Sequence, residues 1–168
     1  AIVLTGASSG IGRSAAIALA KKGFEVYCGV RKDKDAESLK AENIPGLIPI
    51  ILDVVNTEHI EAAVKVVADS GKPLVGLVNN AGILSNIPIE AQSMQNYRKV
   101  FDVNVFGLVE CTQNFLPLLR KSKGRIINIG SVAGDIGGFP GWNPYTASKH
   151  AVESISDALR NEMSDFGV

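Results

Sequence analysis

Strand-like and helix-like patterns alternate along the whole chain, and this alternation limits the fold more than any other feature. Ile2-Val3-Leu4 leads through a glycine-rich turn into a helix with Ile11, Ala15, Ala18 and Leu19 on one face, stopped by Gly23. Phe24 to Val30 reads as a second strand and Asp33 to Glu42 as a charged helix. Leu47 to Leu52 is a short apolar strand in which Pro49, unable to donate to a ladder, predicts an edge position. Ile60, Ala63, Val64, Val67 and Ala68 fit the i, i+3, i+4, i+7, i+8 template of a helix that stops at Ser70-Gly71-Lys72-Pro73. Leu74 to Val78 is a fourth strand and Gly124 to Gly130 a fifth. Between them a long helix spans Tyr97 to Lys121, with its last turn bent or weakened by Pro117. Asn143 as N-cap and Pro144 as first helical residue open a final helix running to about Phe166, with Gly167 beyond it.

Strands this apolar, with little alternation, are covered on both faces. Strands that alternate with helices form a parallel sheet through right-handed crossovers. The predicted fold class is therefore α/β, a doubly wound parallel sheet of Rossmann type. A chain of 168 residues makes one domain and can bury a core without disulfides or metal. Lys+Arg and Asp+Glu are both 17, and the zero net charge removes the electrostatic footprint of a nucleic-acid or anionic-membrane binder. No apolar run approaches the roughly 18 residues of a membrane span. Cys28 and Cys111 form no C-x-x-C pattern and read as reduced packing residues. With only two histidines, His59 on a face expected to be exposed and His150 turned away from its neighbour Lys149, no metal site is expected.

The residues that carry chemistry begin with Thr5-Gly6-Ala7-Ser8-Ser9-Gly10-Ile11-Gly12, which joins the first strand to the first helix. Its G-x-x-x-G-x-G spacing lets backbone approach a pyrophosphate, and the helix start offers free N–H groups and partial positive charge. No Gly-Lys-Ser/Thr comes after it, which disfavours a nucleoside-triphosphate loop. Without a ligand, the same turn would be only a tight strand-to-helix connection. Tyr145 and Lys149 stand four apart on the final helix and so share a face. An ordinary tyrosine is a poor acid or base near neutrality, but a lysine ammonium held close favours the phenolate. An isolated Y-x-x-x-K pair would be an ordinary tyrosine and a solvated lysine.

The order of motifs changes that balance. Thr5 to Gly12 is succeeded by Asp53 after the third strand, Asn79-Asn80-Ala81-Gly82 after the fourth and Asn104 in the long helix. Ser131 then comes after the fifth strand, ahead of Tyr145-Thr146-Ala147-Ser148-Lys149. The whole chain resembles the short-chain dehydrogenase/reductase family. Phe115 to Arg120 and Asp165-Phe166-Gly167 look closest to its branch acting on retinoids, hydroxysteroids and similar secondary alcohols.

The resemblance implies a catalytic set of Asn104, Ser131, Tyr145 and Lys149. Ser131 would hydrogen-bond the substrate oxygen, Tyr145 would exchange its proton, and Lys149 would bind the nicotinamide ribose and support the tyrosine. Asn104 would hold a water linking Lys149 to solvent. It implies cofactor contacts from Gly6, Ser8, Ser9, Gly10, Ile11 and Gly12 at the pyrophosphate, and from Asp53 and Val54 at the adenine. Asn80, Ala81 and Gly82 would line the cofactor. The activity implied is NAD(P)-dependent hydride transfer between nicotinamide and a carbonyl or secondary alcohol. Two rivals are a non-catalytic dinucleotide-binding or structural subunit of the same fold, which has no need of all four catalytic residues, and a sugar-nucleotide epimerase relative, which the motif spacing disfavours.

A carboxylate ending the second strand would bind a ribose 2′-OH. Here Val30 is succeeded by Arg31 and Lys32, so NADP(H) is favoured, with NAD(H) the alternative. The partners implied are a small, apolar carbonyl or alcohol substrate and a second copy of the chain. A homodimer or homotetramer would pair through the Tyr97–Lys121 and Pro144–Phe166 helices. Phe139, Pro140 and Trp142 read equally as a stiff loop or a substrate wall. Both ends read as cut, since Ala1-Ile2-Val3-Leu4 is already strand-like and Val168 falls where a sixth strand is expected. Residues 1–168 are accordingly expected to be one incomplete NAD(P)-binding domain, inactive alone, with its fifth strand left as an apolar edge. No targeting segment is visible, but with a beginning that reads as cut this leaves the location unknown, intracellular and cytoplasmic only by default.

Overall fold

The structure, a computed structural model, describes residues 1–168. Its strands are β1 (Ile2–Leu4), β2 (Val26–Val30), β3 (Leu47–Ile51), β4 (Gly76–Asn79) and β5 (Arg125–Asn128). The helices are α1 (Gly10–Lys21), α2 (Asp33–Lys40), α3 (Thr57–Asp69), α4 (Met94–Phe101), α5 (Gly107–Ser122) and α6 (Asn143–Met163). All strand pairs are parallel, in the order β3-β2-β1-β4-β5. Every residue of β1, β2 and β4 is buried, whereas β3 is half-buried and β5 alternates between exposed and half-buried. Pro49 therefore sits on an edge strand, where a missing N–H costs no ladder bond. The opposite edge is β5, with Ile127 51% exposed.

Side chains of a strand alternate between faces, so β1 feeds two cores. Val3 packs with Ile60, Val67, Leu77, Phe115 and Leu119, joining α3 and α5 to the sheet. Ile2 and Leu4 pack with Ala16, Ala20, Val26, Cys28 and Leu39, joining α1 and α2 to the other face. Cys28 and Cys111 are free and buried, and burial pushes both thiols up to about 12.

Several details differ from the sequence expectations. Helix α1 buries Gly12, Ala16 and Ala20 rather than the face beginning at Ile11, which is 68% exposed. Small side chains every four residues let the helix lie close to the sheet, an advantage that hydrophobicity alone does not register. In α3 the buried set narrows to Ile60, Ala63 and Val67, leaving Val64 half-buried and Ala68 exposed. Its N-terminal turn also holds His59 half-buried rather than exposed, folded back so that Nδ1 accepts from the Asp53 N–H at 3.4 Å. The N-cap of α6 is Trp142, and Asn143 is already helical without a side-chain cap bond.

The long helix is the largest correction. It begins at Met94 and ends at Ser122, running past Pro117, and a π turn at Asp102–Phe106 divides it into α4 and α5. Just after this turn Gly107 meets the loop beyond β3, where an added Cβ would lie 2.7 Å from the Val54 carbonyl oxygen. Backbone cannot retreat as a flexible side chain can. Gly107→Ala should therefore destabilise the protein by about 1–3 kcal/mol. Gly76→Ala, whose new methyl meets only ordinary contacts at 3.6 Å, should change stability by less than about 1 kcal/mol. Urea unfolding of the two variants measures the difference, and equal midpoints would contradict the close-packing account.

Candidate active site

The strand order reverses between β1 and β4, and in open parallel sheets the crevice at that point, beyond the carboxyl ends of the strands, is where ligands enter. A cleft of about 660 Å³ opens there. Its floor at one end is the turn after β1. Asn80 Nδ2 donates to the carbonyls of Thr5 at 2.9 Å and Gly6 at 3.0 Å, while Thr5 Oγ1 accepts from the N–H groups of Asn80 and Ala81, each at 3.0 Å. A Cβ on Gly12 would lie 2.4 Å from both Asn80 Nδ2 and the Gly6 oxygen, so glycine is required for this contact. Gly6, with φ +70°, adopts a left-handed conformation and could not carry a side chain against Ala81.

Along the cleft lie Gly6, Ser8, Ser9, Ile11 and Gly12 from the first turn and Arg31 from the end of β2. Asp53 and Val54 come from the end of β3, and Asn80, Ala81 and Gly82 from the end of β4. Ser131, Tyr145 and Lys149 line the same space. Two residues singled out by the sequence do not line it. Gly10, with φ +54°, turns the chain at the start of α1, and Asn104 lies behind the wall. The cleft also has an apolar side absent from the sequence expectations, including Leu52, Ile83, Leu84 and Val103. None belongs to a motif, so only the fold shows their position.

Tyr145 and Lys149 share a face of α6, with Lys149 Nζ 5.8 Å from the centre of the tyrosine ring. Lys149 is only 6% exposed and donates to the Ile129 carbonyl at 2.5 Å. An ammonium has three donors, so this bond leaves two free beside the cleft. Burial lowers the Lys149 pKa from the ordinary lysine value, and Glu153, one turn further along α6, partly opposes the change. Ser131 Oγ accepts from the Ala133 N–H at 3.2 Å, which fixes it at the end of β5 while leaving its hydroxyl proton available. Trp142 meets Tyr145 edge-on at 5.9 Å and packs on Phe139 at 5.4 Å, an aromatic row leading away from the tyrosine.

The residues fit an anionic dinucleotide. Arg13 is the first residue of α1 whose N–H reaches back to a carbonyl, Ser9 O at 3.2 Å, so the N–H groups before it are open for a ligand. No acidic residue occupies the first turn of α1, so its partial positive charge is not offset locally. Arg31, exposed at the far end, takes part in none of the four ion pairs. Asp53 Oδ1 accepts from the Val55 N–H at 3.3 Å, which orients its carboxylate. No group of three or more His, Cys, Asp and Glu side chains suited to a metal comes together, and no helix is long and apolar enough to cross a membrane.

A family model described as short chain dehydrogenase matches residues 1–168. Mitochondrial D-beta-hydroxybutyrate dehydrogenase of Mus musculus is 42% identical over all of this chain and 51% of that protein. Retinol dehydrogenase 16 of Rattus norvegicus is 41% identical over 99% of this chain and 53% of its own length. The chain thus spans about half the length of the curated relatives it matches. Among solved structures, the closed form of serine dehydrogenase complexed with NADP+ is similar, with a TM-score of 0.90 and 32% identity. That similarity covers 96% of this chain and 66% of the other.

The buried ammonium has a consequence for stability. The folded state of Lys149 releases its proton more readily than the unfolded state, so between the lowered folded pKa and the ordinary value near 10.4 the unfolded chain binds more protons. Stability from this group therefore rises as pH rises through that window. In a comparison of unfolding free energy against alkaline pH, the wild-type curve should gain on Lys149→Met across it. Curves that stay parallel would contradict a desolvated lysine.

Proposed function

Because the chain belongs to the short-chain dehydrogenase family, we propose that it is the dinucleotide-binding and catalytic part of an NAD(P)-dependent oxidoreductase acting on a carbonyl or secondary alcohol. The observation that carries this reading is the convergence of Ser131, Tyr145 and the buried Lys149 on the same cleft as the open N-terminus of α1. The nicotinamide cofactor, when bound, supplies or accepts the hydride. The residues of this chain hold the reactants and move the proton. Gly6, Ser8, Ser9, Ile11 and Gly12 bind the pyrophosphate through backbone N–H groups and the helix dipole, and Gly10, with its left-handed φ, shapes the turn that presents them. Asp53 and Val54 bound the adenine, Asn80, Ala81 and Gly82 form the floor, and the two free donors of Lys149 take ribose hydroxyls.

In the reducing direction Ser131 and Tyr145 donate to the substrate oxygen, so negative charge developing there meets donors already in position. Tyr145 transfers its hydroxyl proton to that oxygen and is reprotonated from solvent along a path beginning at Lys149. Asn104 steadies that path. Both of its amide protons are already used within the protein, so a relay water would meet another part of the residue. Arg31 favours a 2′-phosphate, and the solved serine dehydrogenase complex with NADP+ supports NADP(H) over NAD(H). The apolar wall of Leu84, Val103 and Trp142 suits an apolar alcohol, in line with the similarity to retinol dehydrogenase 16. Phe106, 60% exposed on the π turn, lies on the helix expected to pair subunits, supporting a homodimer or homotetramer.

The test uses the full-length enzyme with a panel of carbonyl and alcohol substrates. Tyr145→Phe should lower kcat by about a hundredfold or more while NADPH still binds, because only the exchangeable proton is lost. A variant that keeps wild-type kcat at neutral pH would refute the assignment. Arg31→Ala should weaken NADPH binding by roughly tenfold and leave NADH nearly unchanged, reflecting the loss of one charge-assisted contact. Equal effects on both cofactors would remove the 2′-phosphate role.

A further inference from the structure

Ser148 lies between the two residues of the Tyr145–Lys149 pair, yet its side chain points away from the cleft and is fully buried. A hydroxyl has one proton and two lone pairs. Here the proton goes to the Tyr145 carbonyl at 2.7 Å, and a lone pair accepts from Asn104 Nδ2 at 3.0 Å. Asn104 in turn grips both main-chain groups of Ile83, accepting from its N–H at 2.8 Å and donating to its carbonyl at 3.0 Å. Ile83 belongs to the cleft wall directly after Gly82. The bonds thus form one continuous chain from the cofactor floor, through the π turn, to the main chain of Tyr145.

From this geometry we infer that Ser148 is a positioning residue, which locks the turn of α6 carrying Tyr145 to the Gly82–Ile83 wall so that tyrosine and bound reactants keep one separation. The π turn makes this lock feasible. An α-helix advances about 100° per residue, so the extra residue of a π turn rotates the remainder of the helix and lets one side chain face inward out of phase. Asn104 takes that inward place and is 2% exposed. Ser148 is its sole partner on α6. Removing the hydroxyl strands a buried N–H of Asn104 and frees the Tyr145 turn, without touching any atom that contacts cofactor or substrate. Such a change acts on the approach of reacting groups, where a displacement of about an ångström can lower the rate a hundredfold.

The inference rests on the oxidoreductase reading, which the Tyr145→Phe variant tests separately on the same preparation. In the full-length enzyme, Ser148→Ala should lower kcat about tenfold or more, with substrate KM and NADPH Kd within about twofold of wild type. Adding Asn104→Ala to Ser148→Ala should cost less than Asn104→Ala costs alone, because the bond that Asn104 shares with α6 is already lost while its two bonds to Ile83 remain to be broken. A Ser148→Ala enzyme with wild-type kcat would overturn the inference, as would losses that simply add. If the alanine variant does not fold, Ser148→Cys keeps the volume with a weak donor. A lowered kcat in that variant, with KM held, supports the lock, and an unchanged kcat overturns it.

Discussion

The side chain of Asn80 crosses from the end of β4 to the end of β1, binding two carbonyls there, while the Thr5 hydroxyl takes two N–H groups in return. These bonds replace the ladder at the point where the sheet changes direction, so the two strand ends stay together although their chains lead to opposite faces. The closeness of this contact excludes a side chain at Gly6 and Gly12 and draws the start of α1 over the crevice. The open N–H groups of that helix, the floor at Ala81 and Gly82, and the width of the cleft all depend on it. A parallel sheet provides a crevice at this point in any event. Here it is shaped by the amide of one asparagine.

A second constraint is the buried ammonium of Lys149. Placing a cation in a poorly solvated site is unfavourable, and the Ile129 carbonyl and the more distant Glu153 only partly offset that. A lysine at this position is a poor choice for stability alone, which is the expected signature of a site organised for chemistry. The same compromise appears in the π turn, where regular helical bonding is given up and Asn104 is brought inward. Glycine at position 107 is then needed for the helix to settle against Val54.

The fold was largely legible because its signals are local. Apolar runs such as Leu74 to Val78, the turn glycines and Pro49 each announce an element without reference to distant residues. The cleft residues were legible for a different reason, since Gly6, Gly12, Asn80, Ser131, Tyr145 and Lys149 keep their spacing and order along the chain. What escaped sequence reading depended on packing. Ile11 looked like a core residue because hydrophobicity outranks size in a periodic pattern, whereas closeness to the sheet selected Gly12, Ala16 and Ala20. The π turn has no compositional mark, and with it the inward aim of Asn104 and its bond to Ser148 were invisible. Leu84 and Val103 belong to no motif and reach the cleft only through the path of the chain.

The central claim is that this crevice binds a nicotinamide dinucleotide with its reactive end at Tyr145 and Lys149. A crystal structure of the full-length protein with NADP+ bound tests it most directly. The pyrophosphate should lie on the N–H groups at the start of α1, the 2′-phosphate beside Arg31, and a ribose hydroxyl within hydrogen-bond distance of Lys149 Nζ. A dinucleotide bound elsewhere, or bound in this cleft with its nicotinamide ribose remote from Lys149, would contradict the account.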